Sequence, residues 1–257
     1  MPWIDLEGAV NVRDLGGLPV SDGGRIVAHR LLRSDNLQEL TASDINRLVR
    51  DIGVTTIVDL RSTAELTSEG PAPLDSVAGV RHAHHPVLPE QGAATDAVAD
   101  VLLTRADRDR SSYPADPVVG HYLGYLDDRP DQVVAALRSI TSSAGAALVH
   151  CAAGKDRTGV VVALALTAVG VRAEAVVADY AATAERTEAI LDRLRRSPTY
   201  AADINSKDSR AHQPRAETMA AFLAQVDARH GGVTPWLSKH GFGPGDLSLL
   251  QARLREH

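Results

Sequence analysis

In 257 residues the chain has one cysteine, two methionines, two phenylalanines and two tryptophans, and aromatic residues make up only 4% of it. A single thiol excludes an intrachain disulfide framework and suits a reducing compartment. No apolar run approaches the ~20 residues that a bilayer-spanning helix needs. Lys and Arg form no block, and a formal charge of −6 removes the usual electrostatic reason to expect a nucleic-acid partner. The opening MPWIDLEGAV lacks the basic start and apolar stretch of a secretory leader. A cytoplasmic location is therefore expected, with export by a leaderless route left open. Repeats and low-complexity tracts are also lacking. What remains is an ordinary globular composition, 44% hydrophobic and 23% charged, long enough for one domain across 1–257 with a substantial core.

Patterning along the chain predicts alternating strands and helices. The first 35 residues read as extended pieces separated by glycine turns, with a strand at 25–32. A helix starts at Thr41, with Ile45, Leu48 and Val49 on one face, and ends at Gly53. The β-branched run 54–60 reads as a buried strand and 80–88 as another. Residues 90–114 are polar and without apolar period, and we read a lid-like, helical insertion at about 88–125. Helical patterns follow at 118–126 and 130–140, then a strand at 146–150. Further helical patterns occupy 159–169, 173–184, 188–195, 215–229 and 246–256, with a polar connector at 197–212. The expected class is α/β: a central, mainly parallel sheet flanked by helices, with a helical C-terminal part.

The cysteine stands in VHCAAGKDRTGV, residues 149–160, between an apolar strand and an apolar helix. A strand-to-helix turn of this kind aims backbone N–H groups at one concavity, where the helix dipole adds roughly half a positive charge. Arg157 supplies a planar fork for two phosphate oxygens. Beside such groups a thiol that ordinarily ionises near pH 8.5 falls to about 3.5–7.5, which makes Cys151 a nucleophile at the floor of a phosphate-sized cup. Thr158 can donate its hydroxyl to that sulfur. Ala152, Ala153, Gly154, Lys155 and Gly159 line the expected substrate-binding loop. The order differs from a Walker loop, which needs Ser or Thr after the lysine and a glycine five residues before Gly154; here those positions are Asp156 and Val149. A rhodanese-type sulfur-transfer loop and a phosphate-binding module without turnover remain the alternatives.

His150-Cys151-(five residues)-Arg157-Thr158-Gly159 resembles the signature loop of the cysteine-dependent protein tyrosine phosphatase superfamily. His-Cys-Ala-Ala-Gly-Lys-Asp-Arg-Thr-Gly is similar to its bacterial branch, which includes mycobacterial protein tyrosine phosphatase B and related lipid phosphatases. Asn11-Val-Arg-Asp, Asp59-Leu-Arg-Ser and Val177-Ala-Asp-Tyr match further motifs of that branch. The resemblance implies a phosphatase fold and a phosphocysteine intermediate. It also implies an arginine that holds the phosphoryl oxygens, and hydrolysis by water with no metal and no cofactor. Its implied substrates are phosphorylated proteins or phosphoinositides.

The resemblance leaves the general acid open. A Trp-Pro-Asp loop is lacking, because Trp3 and Trp236 do not begin one. Branches with Lys-Asp before the arginine assign the role to the aspartate, here Asp156; Glu90 is the alternative, and whichever acts is expected to have a raised pKa. Lys155, a second cation at the rim, suits a substrate with more than one phosphate, and phosphoinositide phosphatases carry a lysine there. Asp59 and Arg61 follow a strand whose carboxyl end reaches the same crevice if it runs parallel to 146–150. They are expected to brace the cysteine loop or line the substrate site, as are Arg13 and Asp14. His82, His84 and His85 have no partner spacing for a metal site and read as packing or surface histidines.

Overall fold

The computed structural model describes residues 3–89, 116–205 and 213–256. Five strands, β1 (Arg13–Asp14), β2 (Leu31–Ser34), β3 (Val54–Asp59), β4 (Arg81–His84) and β5 (Ala146–His150), form one sheet in the order β1-β2-β5-β3-β4. Only β1 runs antiparallel to its neighbour; the other pairs are parallel. β5 lies at the centre and is buried throughout, as its unbroken Ala-Ala-Leu-Val-His run requires of a parallel strand covered on both faces. Ser34 of β2 and Asp59 of β3 both pair in register with His150. Three strand ends therefore meet where the connections diverge to opposite sides of the sheet, the place where open α/β sheets bind ligands.

Helices α1 (Ala42–Asn46) and α2 (Thr63–Glu69) each begin with a reciprocal cap, Thr41 with Asp44 and Ser62 with Glu65. After α1 the chain continues as a π-turn over Arg47–Asp51 and stops at Gly53, whose φ of 83° ends the helical path. α3 (Pro117–Asp128) and α4 (Pro130–Thr141) start at prolines, which tolerate the first helical turn. The remainder is α5 (Asp156–Ala168), α6 (Ala173–Ala182), α7 (Thr187–Arg196), α8 (Ala201–Asn205), α9 (Ala216–His230), α10 (Val233–Lys239) and α11 (Pro244–Leu254).

Side chains alternate across β5, and each face has its own core. Ala147 and Val149 join the large cluster built around α5, with Tyr122, Phe222 and Trp236. Ala146 and Leu148 join the opposite one, with Leu32, Leu48, Ile57 and Leu74. α5 is buried on nearly every side, which accounts for its uninterrupted apolar sequence after Gly159. Among the described residues no helix is long and apolar enough to cross a membrane.

Several boundaries differ from the sequence reading. The strand expected at 25–32 begins at Leu31, because His29 adopts a positive φ of 56° that interrupts extension; Arg25 and Ile26 make isolated bridges only. The expected strand 80–88 closes at His84. α2, α10 and α8, the last inside the supposed connector 197–212, were not anticipated. Of the expected insertion at 88–125, residues 90–115 lie outside the described residues, Glu90 among them. Its C-terminal end is a core helix: Val119, Tyr122, Leu123, Tyr125 and Leu126 of α3 are buried in the main cluster.

Candidate active site

The turn from Cys151 to α5 is held from outside by its carbonyl oxygens. Ala152 O accepts from Asn36 N–H at 2.9 Å, Ala153 O from Asn11 Nδ2 at 3.0 Å, and Gly154 O from Arg33 Nη2 at 2.7 Å and Asn11 Nδ2 at 3.2 Å. With three successive carbonyls held by Asn36, Asn11 and Arg33, the path of the loop into the first turn of α5 is fixed. Gly154 is required twice over. Its φ is 66°, and a Cβ would stand 2.3 Å from Ser34 O. Gly159 gives Tyr180 room to pack, since a Cβ there would lie 2.9 Å from its ring.

Asn11 and Arg33 are themselves fixed in a buried ionic network. Asp179 accepts from Arg33 Nη1 at 2.5 Å and from Arg13 Nε at 2.8 Å. Arg13 also donates to Asn11 Oδ1 at 2.6 Å and to Thr183 Oγ1 at 2.9 Å. Burial and the adjacent Arg33 charge push the Arg13 guanidinium down to about 10, against the pull of Asp179. Burial would raise the Asp179 carboxyl, but the two guanidiniums outweigh it and hold it below the usual range. The Asn11-Val-Arg-Asp and Val177-Ala-Asp-Tyr motifs thus meet under the loop. Asp14 does not join them: its oxygens accept from Gly16 and His29 N–H and close a turn instead.

On the β3 side, Arg157 is buried and bidentate to Glu65, Nη1 to Oε2 at 2.6 Å and Nη2 to Oε1 at 2.9 Å. The capping box fixes Glu65 in turn, since Oε2 also accepts from Ser62 N–H at 2.7 Å. Asp59 and Arg61 form a second bidentate pair, with Arg61 Nη2 donating to Asp59 Oδ2 at 2.6 Å. That oxygen lies 3.5 Å from His150 Nε2, so the pair braces the residue before the cysteine. Burial drives His150 down to about 4 despite the Asp59 charge, and the ring is neutral at pH 7. The three neighbouring histidines diverge to separate partners: His82 to Asp75, His84 to Arg61 O and His85 to Ser139 Oγ.

Asp156, first residue of α5, faces the core and the rim at once. Tyr122 O–H donates to its Oδ1 at 2.5 Å and shares a 2.6 Å hydrogen bond with the Tyr180 hydroxyl. Lys155 Nζ lies 3.4 Å from Oδ2. Burial would raise this carboxyl; Lys155 and the Tyr122 hydrogen bond outweigh it and hold it below the usual value, the opposite of the direction expected for a resting acid. The Thr158 hydroxyl is buried and has no hydrogen-bond partner among the described residues.

Cys151 is fully buried. Over its loop, Ile190, Leu191 and Leu194 of α7, Tyr200, and Ile204 of α8 form one apolar cluster with Ala152, with Val10 and Ala153 packed against it. Arg193 pins α7 through an ion pair to buried Asp35, which also accepts from the Asn11 N–H at 3.0 Å. Sequence reasoning missed Glu65, Arg33, Tyr122 and Tyr200. Of these only Glu65 had a local signal, the Ser-x-x-Glu box.

The model of the tyrosine phosphatase family matches residues 4–256. A putative tyrosine-protein phosphatase of Cupriavidus necator is 34% identical over 180 residues, 68% of this chain and 61% of that relative. The chain thus covers less than two thirds of that protein's length. The triple specificity protein phosphatase PtpB of Mycobacterium tuberculosis is 27% identical over 97% of this chain and 98% of its own. A tyrosine-protein phosphatase of Nostoc commune is 27% identical over 92% of this chain and 78% of its own.

Proposed function

The chain belongs to the tyrosine phosphatase family, and we propose that it hydrolyses phosphate monoesters through a phosphocysteine. The observation that carries this reading is the loop itself, whose carbonyls are tied outward by Asn36, Asn11 and Arg33 around the single cysteine. In the first step the Cys151 thiolate attacks phosphorus, an S–P bond forms, the ester P–O bond breaks, and the leaving oxygen takes a proton from Asp156. In the second, water attacks phosphorus, the S–P bond breaks, Asp156 recovers a proton from the water, and phosphate leaves. Loop N–H groups and the Arg157 guanidinium, whose two Nη atoms are aligned by Glu65, offset the charge on the phosphoryl oxygens in both steps. The Thr158 hydroxyl supplies the returning thiolate with a donor.

Asp156 is ionised as the structure stands, the form needed in the second step. An arriving phosphate dianion raises a nearby carboxyl and competes for Lys155, so the proton for the first step is taken up on binding. That competition favours substrates with a second anionic group. Phosphoinositides follow from that preference and phosphotyrosine from the family, and the triple specificity in the name of the mycobacterial relative supports such breadth.

The test pairs wild type with Cys151→Ser on an aryl phosphate, then uses the variant to trap phosphopeptides and phosphoinositides. Hydrolysis abolished by the substitution, and unchanged by EDTA, is the expected result. Phosphate binding without turnover would make the chain a binding module, and thiosulfate-dependent persulfide on Cys151 would make it a sulfur-transfer enzyme.

A further inference from the structure

Two buried phenols converge on Asp156, and catalysis as described above gives them no part. Tyr122 comes from α3 and Tyr180 from α6, so neither is brought there by chain proximity. The direction of the chain is fixed by the donors. An ionised Asp156 can only accept, so Tyr122 spends its proton on Oδ1 at 2.5 Å, and Tyr180 must donate to the Tyr122 oxygen at 2.6 Å. When Asp156 takes up a proton, Oδ1 remains occupied by Tyr122. The remaining site is Oδ2, the oxygen 3.4 Å from Lys155 at the rim of the cup.

The geometry points to Tyr122, backed by Tyr180, as a positioning residue that fills Oδ1 of Asp156 and confines its transferable proton to Oδ2. This rests on the phosphatase reading for its consequence in turnover, but not for its effect on the carboxyl. Groups facing Asp156 come from three sides: Lys155 before it, His121 and Tyr122 on α3, and Tyr180 on α6, itself in the field of Arg33 from β2. Removing the Tyr122 hydroxyl deletes a donor that favours the charged form, so the carboxyl must move upward. The ring packs edge-on against Tyr180 and Phe222, and phenylalanine preserves those contacts.

The experiment has two arms. In the first, the side-chain carboxyl carbon of Asp156 is titrated by NMR in wild type, Tyr122→Phe and Tyr180→Phe. An upward shift of roughly one unit in Tyr122→Phe, with a smaller one in Tyr180→Phe, is expected; no shift in Tyr122→Phe overturns the proposal whether or not the protein turns over substrate. In the second, kcat/KM is followed against pH for aryl phosphates with good and poor leaving groups. The descending limb should move to higher pH in Tyr122→Phe, the rate should fall several-fold more for the poor leaving group, and neither effect should appear in an Asp156→Asn background. An equal loss at every pH and for every leaving group, or an undiminished loss in the Asp156→Asn background, would show a merely structural residue. Loss of the phosphatase reading would show separately, as hydrolysis that survives Cys151→Ser.

Discussion

The underside of the cysteine loop and its roof are built from opposite materials. Underneath, Arg33 and Asn11 grip backbone carbonyls of the loop, and buried Asp179 and Arg13 hold those two in place. Above, apart from the Arg193–Asp35 pair, the cover is Ile190, Leu191, Leu194 and Ile204, plus Tyr200, whose hydroxyl is buried without a partner among the described residues. Directional bonds fix where the loop's peptide groups point, and apolar contact does not. The underside therefore fixes how the loop's peptide groups lie, while the roof, apart from the Arg193–Asp35 pair, adds apolar cover. Breaking the first should cost stability and function together; altering the second should leave the anion site intact.

The largest effect is expected from Asp179→Ala, which strands two buried guanidiniums. Removing one partner of such a network costs about 3–5 kcal/mol, and urea unfolding together with phosphate affinity should both show the loss. A cost under about 1 kcal/mol would dissolve the contrast with the roof.

Protons act somewhat less severely, and through the β3 side, where Asp59 braces His150. The folded His150 sits at about 4, below its ordinary 6.5, so the unfolded chain binds the extra proton first as pH falls. The associated stability is fully present above about 6.5 and is lost as pH drops toward 4, amounting to about 3 kcal/mol. Urea midpoints at pH 7.5 and 4.5 should differ more in wild type than in His150→Asn. Equal pH dependence in the two proteins would place the ring in water.

The smallest effect has the opposite sign. Tyr200→Phe removes a buried hydroxyl that has no partner among the described residues, and burial together with the Glu65 charge already pushes that phenol well above its ordinary pKa. Stability should rise by up to about 1 kcal/mol, with turnover barely changed. A loss of similar size would mean that the hydroxyl is bonded and that the roof, too, is directional.

The same contrast explains what was legible in the sequence. Cys151 to Gly159 is one contiguous stretch, a turn running into α5, and its glycines, arginine and flanking apolar runs are all local signals. The nearness of Asp59 and Arg61 to His150 needed only a strand direction, since β3 runs parallel to β5. Arg33 was not legible: a charged residue in a strand looks solvated until Asp179, 146 positions later, comes to meet it. Tyr122 read as one of several apolar helix positions, and its hydrogen bond to Asp156 depends on how α3 packs. Asp14 shows the reverse error, since a residue adjacent to a network member points instead into a local turn.

The central claim is that the underside of the loop turns its N–H groups and Arg157 onto one sulfur and keeps it ionised. The direct measurement is the thiolate absorbance near 240 nm against pH, wild type minus Cys151→Ser. Ionisation between about pH 3.5 and 7.5 is the predicted result. A midpoint at about 8.5 or above would contradict the account.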